Sequence, residues 1–128
     1  MEVIRPAGLP LGRLPFSPAI RANGFVFVSG QASTDEKGNI VADSFAGEMR
    51  RSIANVVTIL EAAGLTLRDV GQVRSYLQSG DDLAEYNTIY RELFQEPYPV
   101  RTTTVGCIGT AIRYEIDVVA VDRPPSAS

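Results

Sequence analysis

The chain has 128 residues with 45% apolar content, enough to bury the core of one domain spanning 1–128, and a net charge of −3 that gives no electrostatic footprint for a nucleic-acid partner. It contains no histidine and one cysteine, Cys107. That excludes Ser-His-Asp and Cys-His catalysis within one chain, an internal disulfide and a His/Cys zinc site, and the lone cysteine fits a reducing, cytoplasmic compartment.

The first residues, Met1–Pro6, have neither the basic nor the apolar region of a secretory signal, and no later window approaches the length of a membrane span. Only the ends read as loose, at Pro6–Pro10 and at Pro124–Ser128. Asn23-Gly24 lies between Ala19–Ala22 and the aromatic, β-branched run Phe25–Ser29, the pattern of a two-residue hairpin turn that needs positive φ twice. Gly30-Gln31 closes the second strand, and Asp35–Asn39 predicts a turn into a short strand at Ile40-Val41.

Residues 44 to 63 predict an amphipathic helix: Phe45, Met49, Ile53, Val56, Val57 and Leu60 recur at spacings of three and four. Asp43 or Ser44 caps its start and Gly64 supplies the left-handed stop. Val70–Leu77 reads as a strand. A second helix is expected over 82–96, capped by Asp81 or Asp82, striped by Leu83, Tyr86, Ile89, Tyr90, Leu93 and Phe94, and ended by Pro97. Two strand-like runs follow, Tyr98–Val105 and Tyr114–Val121. The order predicts a mixed sheet with both helices packed on one face. The uncovered face carries Phe, Val and Thr rather than dense charge, which implies a homo-oligomer with sites between subunits.

Arg101 stands near the start of the run Tyr98–Val105 and shares a strand face with Thr103, Val105 and Cys107. Desolvating a guanidinium is expensive, so at the mouth of a core strand it needs an anion. That anion is either a structural carboxylate, Glu115 or Asp117, or the carboxylate or phosphate of a ligand; an exposed strand end is the third reading. If the two final runs pair, Arg101 and Glu115 lie near opposite ends of a hairpin and need not touch within one chain; across a subunit boundary the geometry is open. Glu115 alternates with Ile116 and Val118, so it points away from the apolar face, as a solvated carboxylate or as part of a site. Gly30 is either a bulge or a point of close backbone approach. Cys107 reads as a small buried apolar residue with no base beside it, and Tyr86 and Tyr90 as helix-stripe core residues.

The chain resembles the Rid (YjgF-type) enamine/imine deaminase family along nearly its whole length. The resemblance is carried by Pro15–Ala19, Phe27–Gln31, Ser52–Val56, Leu60–Leu65, Tyr86–Tyr90, Tyr98–Arg101 and Glu115-Ile116, in that order. It implies a chorismate-mutase-like α+β fold, a homotrimer with ligand sites in the clefts between subunits, and no cofactor or metal. It also implies hydrolysis of 2-enamine/2-imine carboxylic acids, such as 2-aminoacrylate or 2-aminocrotonate, to 2-oxoacids and ammonia. By the same resemblance Arg101 grips the substrate carboxylate and Glu115 positions or deprotonates water, while Gly30, Phe16 and the backbone of Thr103 line the site. Phe16 stands where the family usually has tyrosine, and Thr103 where it often has cysteine. The competing reading is a non-catalytic trimer that binds small carboxylates in the same cleft. Nucleic acid is not an expected partner.

Overall fold

The computed structural model describes residues 1–7 and 14–122, so most of the first loose stretch and all of the second lie outside the described residues. The elements run β1 (Glu2–Ile4), β2 (Ala19–Ala22), β3 (Phe25–Ala32), α1 (Phe45–Ala62), β4 (Val70–Leu77), α2 (Leu83–Leu93), β5 (Val100–Val105) and β6 (Tyr114–Val121). The strands form one sheet in the order β1-β2-β3-β6-β4-β5, with β4 and β5 parallel and every other pair antiparallel.

The local signals behave as their chemistry predicts. Asn23 and Gly24 take φ of 52° and 83°, the doubly left-handed turn that matches the twist of β2 and β3. Ser44 caps α1 by accepting the N–H of Gly47, and Gly64 leaves the helix at φ 78°. Three expectations change. The second helix is shorter than 82–96: Asp82 occupies the N-cap position without a side-chain bond, and Phe94 is already extended, because its ring turns inward to stack on Tyr90 at 4.4 Å. The short strand at Ile40-Val41 is only an isolated bridge between Thr34 and Ile40. And Glu2–Ile4, unmarked by any strong signal, adds an edge strand along β2.

The larger correction concerns strand order. Tyr98–Val105 and Tyr114–Val121 do not pair; β4 lies between them, and β5 is the edge of the sheet rather than a core strand. The last strand instead inserts between β3 and β4. Its alternation is strict: Tyr114, Ile116, Val118 and Ala120 are buried, while Glu115, Asp117, Val119 and Val121 face the other way. The Tyr114 ring meets Phe45 of α1 at 5.9 Å and Tyr86 of α2 at 6.0 Å, so both helices pack on the same face. The opposite face pairs Phe27 with Val119 and Phe25 with Val121, and the two phenylalanines remain 46% and 43% exposed.

Leu60 of α1 is fully buried in the core beneath the sheet. Leu60→Ala is expected to cost about 2–5 kcal/mol, seen as a lower denaturation midpoint in urea at an unchanged slope. A loss below about 1 kcal/mol would contradict the packing described.

Candidate functional site

Strand order sorts the candidate residues into two groups. Arg101 lies beside Val73 in the parallel β4–β5 register, and Val73 is buried toward the helices, so Arg101 and Thr103 project to the helix side of the edge strand. Glu115, on β6, pairs with Tyr76 of β4 and faces the open side of the sheet. The two residues therefore stand on opposite faces, two strands apart, and the structure does not bring them together within one chain. Gly30 and Phe16 fall in the Glu115 group.

Around Arg101 the packing is aromatic. Its guanidinium carbon lies 4.9 Å from the centre of the Tyr86 ring and 4.7 Å from that of Tyr90. Among the described residues no carboxylate pairs with it; Asp117, one of the expected structural partners, bonds instead to Arg74 at 2.8 Å and to the Tyr76 hydroxyl at 2.9 Å. Two aromatic faces supply part of the stabilisation that a carboxylate would otherwise give, and they leave the guanidinium N–H groups free for a ligand. Tyr90 keeps its phenol neutral, since burial, with Tyr86 adding to it and Arg101 opposing, pushes it up to about 12. Thr103 joins the cluster through its hydroxyl, 2.8 Å from that of Tyr86. A pocket of about 280 Å3 opens beside the guanidinium, lined by Asn87, Tyr90, Arg91, Tyr98, Pro99 and Arg101.

The second group sits on a bulge. Val28 pairs with Val118 and Gln31 with Ile116, so Ser29 and Gly30 together oppose Asp117. The extra residue turns Gly30 under Glu115, where a Cβ would stand 2.6 Å from Glu115 Oε1. Only glycine lets that carboxyl lie against the backbone. Glu115 is half-buried, and burial first, with the nearby Asp117 carboxylate adding to it, raises it above the ordinary carboxylate range. The strand itself is anchored from below. Buried Glu48, in the first turn of α1, accepts the N–H of Arg113 at 2.9 Å, two residues before Glu115, and that of Asp43 at 3.2 Å. Phe16, 58% exposed, and Gly30, Gln31, Arg51, Asn55 and Glu115 border a broad recess of about 1060 Å3.

Cys107 is exposed, past the end of β5, rather than buried; Gly106 at φ 87° has already turned the chain off the sheet. Tyr86 and Tyr90 are core residues, as their helix spacing predicts, and also wall the arginine. Asn87 and Arg91 were not marked as site residues by composition or motif; their separation of four on α2, one helical face, is the signal that would have found them. No helix among the described residues is long and apolar enough to cross a membrane.

Residues 9–122 match the family model described as Endoribonuclease L-PSP. The chain belongs to this family, the Rid (YjgF-type) proteins. A RutC family protein of Pyrococcus horikoshii is 37% identical over 121 residues, covering 93% of this chain and 96% of that one. A 2-iminobutanoate/2-iminopropanoate deaminase of Bos taurus is 29% identical over 125 residues, covering 96% and 91%. Among solved structures, the YjgF gene product of E. coli superposes with a TM-score of 0.83 at 26% identity, over 96% of this chain and all of that one (100%). The α+β fold, a mixed sheet with two helices, is that of these relatives.

Because folding raises Glu115, the folded chain binds its proton more tightly than the unfolded chain does. Its contribution to stability is full below the unfolded value and is lost as pH rises through the folded one. A side-chain carboxyl NMR titration is expected to place Glu115 above ordinary glutamates, and Asp117→Asn to move it down. A Glu115 that titrates with the exposed carboxylates would contradict the burial described.

Proposed function

We propose that the protein hydrolyses reactive 2-enamine/2-imine carboxylic acids to 2-oxoacids and ammonia, in clefts between the subunits of a homotrimer. The observation that carries this reading is the guanidinium of Arg101, lying over two neighbouring tyrosine rings with no carboxylate partner among the described residues. A planar cation kept free in this way suits a ligand carboxylate, which it takes bidentately. The family membership, shared with proteins named as imine deaminases, supports the same chemistry.

Arg101 and the Glu115–Gly30 group stand on opposite faces, so a complete site combines Arg101 of one subunit with Glu115 of the partner subunit. The apolar open face, with Phe25, Phe27, Val119 and Val121, favours the burial that such an assembly brings. In the reaction the enamine first takes a proton from solvent at C3 and becomes the protonated imine, whose nitrogen carries two hydrogens. Water then adds its oxygen to C2 while passing a proton to the Glu115 carboxylate, and Glu115 returns that proton to nitrogen. The C2–N bond breaks, ammonia leaves with the electron pair, and loss of the hydroxyl proton leaves the 2-oxo group. The imine carbon is already electrophilic, so orientation by Arg101, with Gly30, Phe16 and the Thr103 backbone lining the cleft, and one acid/base carry the step without a cofactor. A carboxyl raised above its ordinary range is better matched to returning a proton near neutral pH than an exposed glutamate. A cytoplasmic location belongs to this reading, since one unpaired cysteine suits a reducing compartment.

The test adds the pure protein to a serine or threonine dehydratase reaction and follows 2-oxoacid release. Acceleration is expected. Arg101→Ala should lower kcat/KM roughly 10²-fold by removing the paired charge-assisted bonds. Sedimentation equilibrium should give three times the 13.8 kDa chain mass. No acceleration, or an Arg101→Ala variant equal to the parent, overturns the deaminase reading. Carboxylate binding without turnover would instead leave the protein as a non-catalytic carboxylate-binding trimer.

A further inference from the structure

The pocket beside Arg101 holds a second, unused cation. Arg91 lies one helical turn past Asn87 on the same face of α2, and both residues line the pocket with Arg101. Arg21, Arg50, Arg51, Arg74 and Arg113 each have a carboxylate oxygen within 4.0 Å. Among the described residues Arg5, Arg68, Arg91 and Arg101 have none; what sets Arg91 and Arg101 apart is that they share one pocket, which no acidic side chain lines. Acids outnumber bases in this chain by 15 to 12, so two guanidinium groups left together without a counter-charge are not a by-product of a basic surface. A cation in the last turn of α2 is favoured by the helix dipole alone. The dipole does not account for its sharing one pocket with Arg101 and the Asn87 amide. Like charges gathered there repel one another, and a dianion relieves that repulsion as it binds.

We propose that the pocket is built for a dicarboxylate: a four- or five-carbon 2-imino dicarboxylic acid, or the corresponding 2-oxo acid, whose C1 carboxylate lies on Arg101 and whose distal carboxylate lies on Arg91 with Asn87 donating beside it. This rests on the deaminase reading for the chemistry at C2, but not for the binding. A volume of about 280 Å3 accommodates the longer acid, whereas a three-carbon acid reaches only the Arg101 end. Tyr90, Tyr98 and Pro99 give the open pocket a largely apolar wall for the carbon chain between the two charges. Arg91 is thus a specificity-determining residue, reading the far end of the ligand while the chemistry runs at the near end.

Titration calorimetry on the full-length protein at about 0.15 M salt compares oxaloacetate and 2-oxoglutarate with pyruvate and 2-oxobutanoate. The dicarboxylates are expected to bind at least tenfold tighter than the monocarboxylates. Arg91→Gln should collapse that ratio to within twofold, Arg91→Lys should retain part of it, and Arg101→Gln should weaken both classes. Equal affinity for the two classes, a ratio unmoved in Arg91→Gln, or equal competition by inorganic phosphate overturns the proposal. Monocarboxylate binding with deamination, but no dicarboxylate preference, removes this inference and leaves the deaminase reading standing. Dicarboxylate preference through Arg91 without any deamination does the reverse, and failure of every 2-oxoacid to bind removes both.

Discussion

The insertion of β6 between β3 and β4 is the constraint on which the rest of the molecule depends. Its buried side, Tyr114 to Ala120, is the middle of the core, and the Tyr114 ring touches both helices. Its other side carries Glu115 onto the open face and holds it over the Gly30 bulge. The same insertion pushes β5 out to the edge, where Arg101 meets the aromatic side of α2 instead of a carboxylate. One strand-order decision therefore separates Glu115 from Arg101 and sets them on opposite faces of the sheet.

The electrostatics follow from that separation. Asp117 is satisfied by Arg74 and Tyr76, so one of the two expected structural partners of Arg101 is already engaged, and the other, Glu115, lies on the opposite face. Among the described residues no cation pairs with Glu115; it is desolvated beside a second carboxylate, which favours its protonated form. Arg101 is stabilised by ring faces, which do not neutralise it. The half-buried acid is the costly member of the pair, since the exposed Arg101 guanidinium keeps its contact with water.

Much of this was legible in the residues. Asn23-Gly24, the stripe from Phe45 to Leu60, Gly64 and the alternation of Tyr114–Val121 each specify local geometry through short-range sterics and period, and the structure agrees with them. The apolar uncovered face was legible too, because Phe25 and Phe27 alternate with the buried Val26 and Val28. Glu2–Ile4 was not, since three residues along an edge carry no period. Nor was the early end of α2, where Phe94 leaves the helix to stack on Tyr90, a contact that spacing cannot distinguish from a continued stripe. Cys107 was misjudged for the same kind of reason: β5 stops at Val105, and the positive φ of Gly106 takes the next residue off the sheet.

By itself the sequence determined most of the elements, the facing of most side chains within their own strand or helix, and the exclusion of histidine and zinc chemistry within the chain; it left Arg101 open between a structural carboxylate, a ligand and an exposed strand end. The resemblance to the Rid family, carried by short ordered segments, was also present in the residues alone. Only the tertiary structure decided what the partner of Arg101 is not. Pairing β4 with both β5 and β6 is a long-range choice, made by the burial of Val73, Ser75 and Leu77 against the helices, and no local period encodes it. That choice set Arg101 beside Tyr86, Tyr90 and Arg91 and set Glu115 over Gly30, because side-chain facing is a property of one strand, whereas neighbours are a property of the whole sheet.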